Sequence, residues 1–215
     1  MMPTFAATAP IIIRLLVCFL IGSIPFAVLA MLGSGIDIRR VGSGNPGFNN
    51  VLRVSKPRAI VALIGDMGKG ILAVWLFHKT GDSVTVDWLY GFAAVLGHCY
   101  SPFLKFNGGK GIATSGGVML VFFPKLAALA LLVFAVIRVT GGRLKWREAG
   151  TIASLSTWLI FALVIFFFIG PRQGLYAGLM TLILALRHKR NFKNLFSQPN
   201  HPKQVVASEG RSSAL

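Results

Sequence analysis

The longest apolar stretches of the chain decide its environment before any motif is read. Ile11–Leu32 carries one charged residue, Arg14, and Thr151–Gly170 carries none. About 20 apolar residues are enough to cross the hydrocarbon core of a bilayer as a helix. Charged residues make up 13% of the chain and hydrophobic ones 54%, roughly half the charge share of an ordinary soluble domain. The sequence therefore predicts an all-α integral membrane protein that crosses the bilayer several times.

Seven transmembrane helices are predicted, at roughly 10–32, 58–78, 86–104, 111–123, 125–138, 150–169 and 173–187. The fourth and fifth are short, and Pro124 between them could instead kink one long span. Charge decides between seven and six. Twenty-two Lys and Arg stand against six Asp and Glu, an excess that in a soluble chain would suggest nucleic acid. In a membrane protein it reports topology, because cytoplasmic loops collect Lys and Arg. With seven spans, Arg39, Arg40, Arg53, Lys56, Arg58, Lys105, Lys110, Arg138, Arg143, Lys145, Arg147 and the C-terminal cations share one side. Lys79, Lys125 and Arg172 fall on the other. Six spans would split residues 138–147 from the C-terminus. The N-terminus is thus expected outside and the C-terminus in the cytoplasm. Residues 1–196 are expected to form a single membrane domain, and 197–215 a polar, disordered tail. No early basic segment precedes the first span and further spans follow it, which disfavours a cleaved signal peptide.

The acids exclude whole reaction classes. Asp37, Asp66, Asp82, Asp87, Glu148 and Glu209 form no DxxD or ExxE pair, whereas two-metal and paired-carboxylate chemistry need clustered carboxylates. Cys18 and Cys99 lie in or near apolar stretches and do not suggest a disulfide framework. No metal and no cofactor is expected.

Three cytoplasmic segments carry more chemistry than a connector needs. The first is Asp37 to Arg53, where Gly42, Gly44 and Gly47 allow consecutive backbone N–H groups to turn towards one point. With Ser43, Asn45 and Asn50 around it, such a nest binds phosphate, and a helix starting near Asn49 would add its dipole. Arg53 lies one helical turn beyond and could fork onto the same anion. The competing reading is a flexible Gly/Asn/Pro loop. The second segment runs from Gly97 to Gly111. It is not a Walker A motif, because Leu104 and Gly111 stand where Gly and Ser or Thr are required. Gly108-Gly109-Lys110-Gly111 could still bring an ammonium against a phosphate or acyl oxyanion; the alternative makes Lys105 and Lys110 topology determinants. His98 by itself reads as a packed interfacial histidine. The third segment, Arg187 to Phe196, is a basic cluster of the kind that ends a final span at anionic lipid. Within it His188 and Asn191 are three apart and would share a helix face. Asp66 and Lys69, at i and i+3 inside the second span, are expected to form a structural ion pair beneath the site. Ser154 and Ser156 read as helix-packing groups.

Together these residues resemble the bacterial acyl-phosphate:glycerol-3-phosphate acyltransferase (PlsY) family. The resemblance runs from Gly22-Ser-Ile-Pro-Phe26 to about Phe196. It rests on Ser-Gly-Asn-x-Gly-x-x-Asn at 43–50 with Val-Leu-Arg53, and on Asp66-x-x-Lys-Gly70. Gly-His-x-x-x-Pro-Phe-x-x-Phe-x-Gly-Gly-Lys-Gly at 97–111 and Arg-His-x-x-Asn at 187–191 complete it. It implies a seven-span enzyme of the bacterial cytoplasmic (inner) membrane, with its site facing the cytoplasm. Such enzymes move an acyl chain from acyl-phosphate to the 1-hydroxyl of glycerol 3-phosphate, giving lysophosphatidic acid. In that family the positions matching Ser43, Arg53, Lys110, His188 and Asn191 belong to the active site. The glycines around Ser43 hold the donor phosphate, and the position of Ser154 is implicated. The chain departs from the family at Phe48-Asn49, where Ala-Thr is common, and lacks a Gly-x-Glu after the last motif.

The residues fit this chemistry without a metal, since both substrates carry phosphate and an acyl-phosphate already contains its leaving group. Ser43, Lys110 and Asn191 are the predicted catalytic residues. Gly42, Gly44, Asn45, Gly47, Asn50, Arg53, His98, Gly108, Gly109, Ser154 and His188 are the predicted substrate-binding ones. Lys110 and the 42–47 backbone would stabilise developing oxyanions, Arg53 with His188 would seat the acceptor phosphate, and Ser43 and Asn191 would orient its hydroxyl. The expected partners are the two substrates and the lipid bilayer; no nucleic acid and no obligate protein partner is expected. Two rival functions compete. An acyltransferase using His-x4-Asp is excluded, because Ser83, Phe103, Lys193 and Val206 stand five residues after the four histidines. An anion transporter would place its polar motifs near the midplane of repeated halves, whereas here they gather at one face.

Overall fold

A computed structural model describes residues 10–78 and 82–196; the expected disordered tail at 197–215 lies outside the described residues. Among the described residues the chain is all-helical and has no strand. The longer helices are α1 (Ile11–Ser23), continued after a break by α2 (Phe26–Leu29), then α4 (Lys56–Trp75), α5 (Val84–Cys99), α6 (Ile112–Phe122), α7 (Pro124–Arg143), α8 (Ala149–Phe168) and α9 (Pro171–Arg187). Two short helices, α3 (Phe48–Val51) and α10 (Lys189–Phe196), belong to the loops. Each predicted span overlaps one of these helices or the broken pair α1–α2, with ends that differ by up to five residues. Three segments, Ile11–Leu29, Pro124–Arg143 and Ala149–Phe168, are long and apolar enough to cross a membrane by length and composition.

Proline sets several boundaries. Pro124 and Pro171 sit at the starts of α7 and α9, where the missing N–H has no intrahelical partner to lose. At Pro124 the chain reverses rather than kinks. Lys110 before α6 and Gly142 near the end of α7 line the same cavity, while Phe122 and Phe123 meet Trp88 at the other end of the bundle.

Small residues let the helices approach closely. A Cβ on Gly97 of α5 would stand 2.1 Å from the Phe19 carbonyl oxygen, and one on Gly117 of α6 would stand 2.1 Å from that of Met67. Glycine at these crossings lets α1 meet α5 and α4 meet α6 backbone to backbone, the device of helices packed in lipid. The outward faces stay apolar, with Ile64, Trp75, Leu132, Phe167 and Phe168 all more than half exposed. An apolar surface that continuous belongs against lipid rather than water.

Charges inside the bundle are paired. The Lys69 ammonium lies 2.7 Å from Asp66 and donates to the Ile24 carbonyl at the α1–α2 break. At the far end Arg14 pairs with Asp82, which also accepts from the Tyr90 hydroxyl at 2.6 Å.

Candidate active site

The first predicted loop is built around Asn50. Its side chain is 1% exposed and acts as a bracket: Nδ2 donates to the carbonyls of Ile38 and Val41 at 2.9 Å, and Oδ1 accepts from the Ser43 N–H at 3.1 Å. Arg53 Nη1 reaches the same oxygen at 3.3 Å. Asn50 thus shapes the loop from beneath, whereas Ser43 and Arg53 are exposed. Gly42 and Gly44 have φ of 56° and 68°, a left-handed conformation that glycine adopts without a Cβ clash.

The Gly-Gly-Lys-Gly turn is held from two sides. Gly108 and Gly109 N–H groups donate to the carbonyls of Cys99 and His98. From α9, Arg187 donates Nη2 to the Gly108 carbonyl at 2.9 Å and Nε to that of Gly109 at 3.2 Å, its guanidinium 4.8 Å from the Tyr100 ring centroid. His98 lies under the turn. Its Nδ1 is 3.5 Å from Asp66, and a Cβ on Gly109 would stand 2.2 Å from its Nε2.

At the top of this turn the Lys110 ammonium donates to Asn191 Oδ1 at 2.6 Å. Asn191 Nδ2 in turn donates to Glu148 Oε2 at 2.5 Å, and Asn194 Nδ2 to Glu148 Oε1 at 2.9 Å. Burial and the neighbouring Arg53 press the Lys110 ammonium below the ordinary lysine value, with Glu148 opposing them in part. Burial would raise Glu148, but the hydrogen bonds from Asn194 and Asn191 and the charge of Lys110 outweigh it and leave the carboxylate below its usual range. His188 stands between α9 and α10, and its carbonyl accepts from the N–H groups of Asn191 and Phe192 at 2.8 and 3.1 Å, so the two site residues share one turn. His188 is buried and its Nδ1 lies 2.8 Å from the Leu184 carbonyl. Burial pushes it down to about 4, so the ring is neutral near pH 7. Because a carbonyl only accepts, Nδ1 carries the proton and Nε2 keeps a lone pair.

Every predicted site residue except Gly109 lines one cavity of about 1790 Å³. Ser154 is on its wall with its hydroxyl turned back to the Gly150 carbonyl at 2.8 Å. One end is polar and cationic, with Arg53, Lys110, Arg138, Lys145 and Arg190; the other is walled by Met119, Ala127, Leu131, Phe134, Trp158 and Phe161. Single ligand pockets run to about 1,000 Å³, so this volume accommodates a headgroup and a chain together. Among the described residues no group of three or more His, Cys, Asp or Glu is placed to hold a metal ion. Sequence reasoning missed Glu148, which carries no motif, and placed Arg187 only in a basic cluster; the aspect that could have flagged Glu148 is its isolation among cations.

The chain matches the family model described as glycerol-3-phosphate acyltransferase over residues 12–198. It is 42% identical over 195 residues to the glycerol-3-phosphate acyltransferase of Laribacter hongkongensis, covering 86% of this chain and 92% of that one. The protein of the same name from Methylobacillus flagellatus is 40% identical, with 82% and 89% covered. Among solved structures, the integral membrane glycerol 3-phosphate acyltransferase PlsY in its glycerol 3-phosphate form superposes with a TM-score of 0.77. It shares 30% identity over 89% of this chain and 94% of that one. Its lysophosphatidic acid form gives 0.76 at 29% identity.

Proposed function

The chain belongs to the glycerol-3-phosphate acyltransferase family, and we propose how its cavity moves an acyl chain from acyl-phosphate to the 1-hydroxyl of glycerol 3-phosphate. The products are lysophosphatidic acid and inorganic phosphate. The observation that carries this reading is the two-ended cavity, cationic around Lys110 and Arg53 and apolar between α6, α7 and α8. A phosphorylated headgroup with a long tail matches both ends at once.

In this reading the donor's phosphate lies against the 42–47 loop and Lys110, and its tail follows Met119, Trp158 and Phe161. The acceptor phosphate meets Arg53. His188 is better suited to a hydroxyl than to a phosphate, because a neutral ring with a free Nε2 accepts a hydrogen bond and repels a phosphate oxygen. The acceptor 1-hydroxyl then attacks the donor carbonyl, guided by Ser43 and His188. Lys110 stabilises the oxyanion that develops, as a preorganised donor aimed at the charge of the transition state, which is where most of the acceleration of acyl transfer arises. The C–O bond to phosphate breaks, and the departing phosphate takes the hydroxyl proton. Asn191, hydrogen-bonded to Lys110, holds that ammonium in place. Lys and Arg supply the counter-charge, so no metal is required.

The cavity's cationic end collects Arg53 ahead of α4, the starts of α6 and α8 and the ends of α5, α7 and α9. That alternation supports seven spans with the N-terminus outside and the site at the cytoplasmic face of the bacterial inner membrane. The partners are the two substrates and the bilayer. The test is formation of lysophosphatidic acid by the purified chain from palmitoyl-phosphate and glycerol 3-phosphate in EDTA. Turnover is expected; loss of all activity in EDTA with recovery in Mg²⁺ would overturn the metal-free reading.

A further inference from the structure

Glu148 is out of place in a site for two phosphates. Among the described residues lining the cavity the acids are Glu148 and Asp66, and Asp66 is taken up by Lys69 deep in the bundle. A carboxylate at the cationic end repels each incoming phosphate. It also sits at φ 55°, a left-handed backbone that disfavours any residue but glycine. Two costs at one residue call for a return.

The hydrogen-bond geometry supplies it. An ionised carboxylate only accepts, so the Asn191 amide must turn Nδ2 towards Glu148, and Oδ1 is thereby left facing Lys110. Without the carboxylate the amide could flip and present Nδ2 to the ammonium, donor against donor. Building on the acyl-transfer reading above, we propose that Glu148 is a positioning residue: it fixes the Asn191 amide in the one orientation that receives the Lys110 ammonium. The turn before α6, the start of α8 and the segment after α9 are joined through this relay. Thr151 and Asn194 hold the carboxylate itself, donating to Oε2 at 3.3 Å and Oε1 at 2.9 Å.

A residue that merely docks α10, the helix carrying both Asn191 and Asn194, would lose its effect equally in Asn194→Ala, whereas a positioning residue acts through Asn191, and this separates the two roles. The charged groups acting on Lys110 are Glu148 from the start of α8 and Arg53 beyond α3; His188 beside it, after α9, is neutral. Removing the one anion among them must weaken the hold of Lys110 on its proton. The experiment is competitive amine labelling of Lys110 across pH in the purified full-length chain, read by mass spectrometry, beside kcat/KM for palmitoyl-phosphate. Glu148→Gln is expected to move the labelling midpoint to lower pH and to reduce kcat/KM about tenfold, the usual size of coupling within one network. Glu148→Gly, which suits the left-handed backbone, is expected to do the same even if Glu148→Gln proves unstable. Glu148→Asp keeps the charge and restores the midpoint, and Asn194→Ala leaves it in place. An unchanged midpoint in Glu148→Gln and Glu148→Gly overturns the proposal, as does the same shift in Asn194→Ala, or an undiminished tenfold loss of kcat/KM when Glu148→Gln is made on an Asn191→Ala background, where no amide is left to orient. Labelling needs no turnover, so a chain whose midpoints shift as expected but whose wild type makes no lysophosphatidic acid refutes the acyl-transfer reading instead.

Discussion

The ammonium of Lys110 lies 2.6 Å from the amide oxygen of Asn191, a residue 81 positions further along the chain. The contact joins the second and third polar segments, and Arg187 reinforces it by gripping the carbonyls of Gly108 and Gly109. The turn that carries Lys110 is therefore fixed by α9, not only by its own glycines.

Lys110→Met is expected to lower kcat/KM by roughly 10²-fold or more, the scale of deleting one preorganised oxyanion donor. Lys105→Met changes the loop charge equally but lies outside the turn and is exposed. Steady-state kinetics on both variants, with expression as a control, check this; equal losses would return Lys110 to a topology role.

The pH profile follows from the directions of the shifts. Lys110 must be protonated to donate, and its proton is held less tightly than in an ordinary lysine, so activity falls as pH rises through that lowered value. His188, pushed down to about 4, stays neutral from pH 5 to 8 and contributes no limb there. A profile of kcat/KM for wild type and His188→Gln checks this. A limb near pH 6.5 that disappears in the variant would contradict it.

Asn50→Ala leaves the carbonyls of Ile38 and Val41 and the Ser43 N–H without the side chain that satisfies them. The expected cost is about 1–3 kcal/mol for buried groups left unpaired, read by thermal unfolding in detergent. A rise in the KM for palmitoyl-phosphate should accompany it, because the loop loses its bracket.

Neighbouring glycines of α6 should behave differently. A Cβ on Gly117 would stand 2.1 Å from the Met67 carbonyl oxygen, while one on Gly116 would meet nothing within 4 Å. Gly117→Ala is expected to destabilise by about 1–3 kcal/mol, as overpacking does. Gly116→Ala should be neutral or slightly stabilising, because alanine favours the helix. The same unfolding assay compares them.

Much of the fold and of the site is legible in the sequence because it rests on local signals. Apolar length marks the helices, Pro124 marks a boundary, and Gly42, Gly44, Gly108 and Gly109 mark the tight turns. Residue type and spacing also pair Asp66 with Lys69. What escapes depends on contacts between distant segments. Asn50 reads as a ligand because it sits in a polar motif, yet its side chain is spent on the loop's own backbone. Glu148 lies in an unremarkable connector, and only the packing of α8 against α9 brings it to Asn191. Spacing puts His188 and Asn191 on one turn, and the Asn191 N–H does donate to the His188 carbonyl, but the break at His188 between α9 and α10 has no signal in the sequence.

The donor is the most direct test of the central claim. No nucleotide-binding signature appears in the chain, and a compact loop around Ser43 fits one phosphate rather than a bulky adenosine diphosphate head. The decisive measurement is kcat/KM for lysophosphatidic acid formation by the purified chain, with palmitoyl-phosphate and with palmitoyl-CoA as donor. We predict turnover with palmitoyl-phosphate and a much lower kcat/KM with palmitoyl-CoA; equal values for the two donors, or no product from palmitoyl-phosphate, would contradict the account.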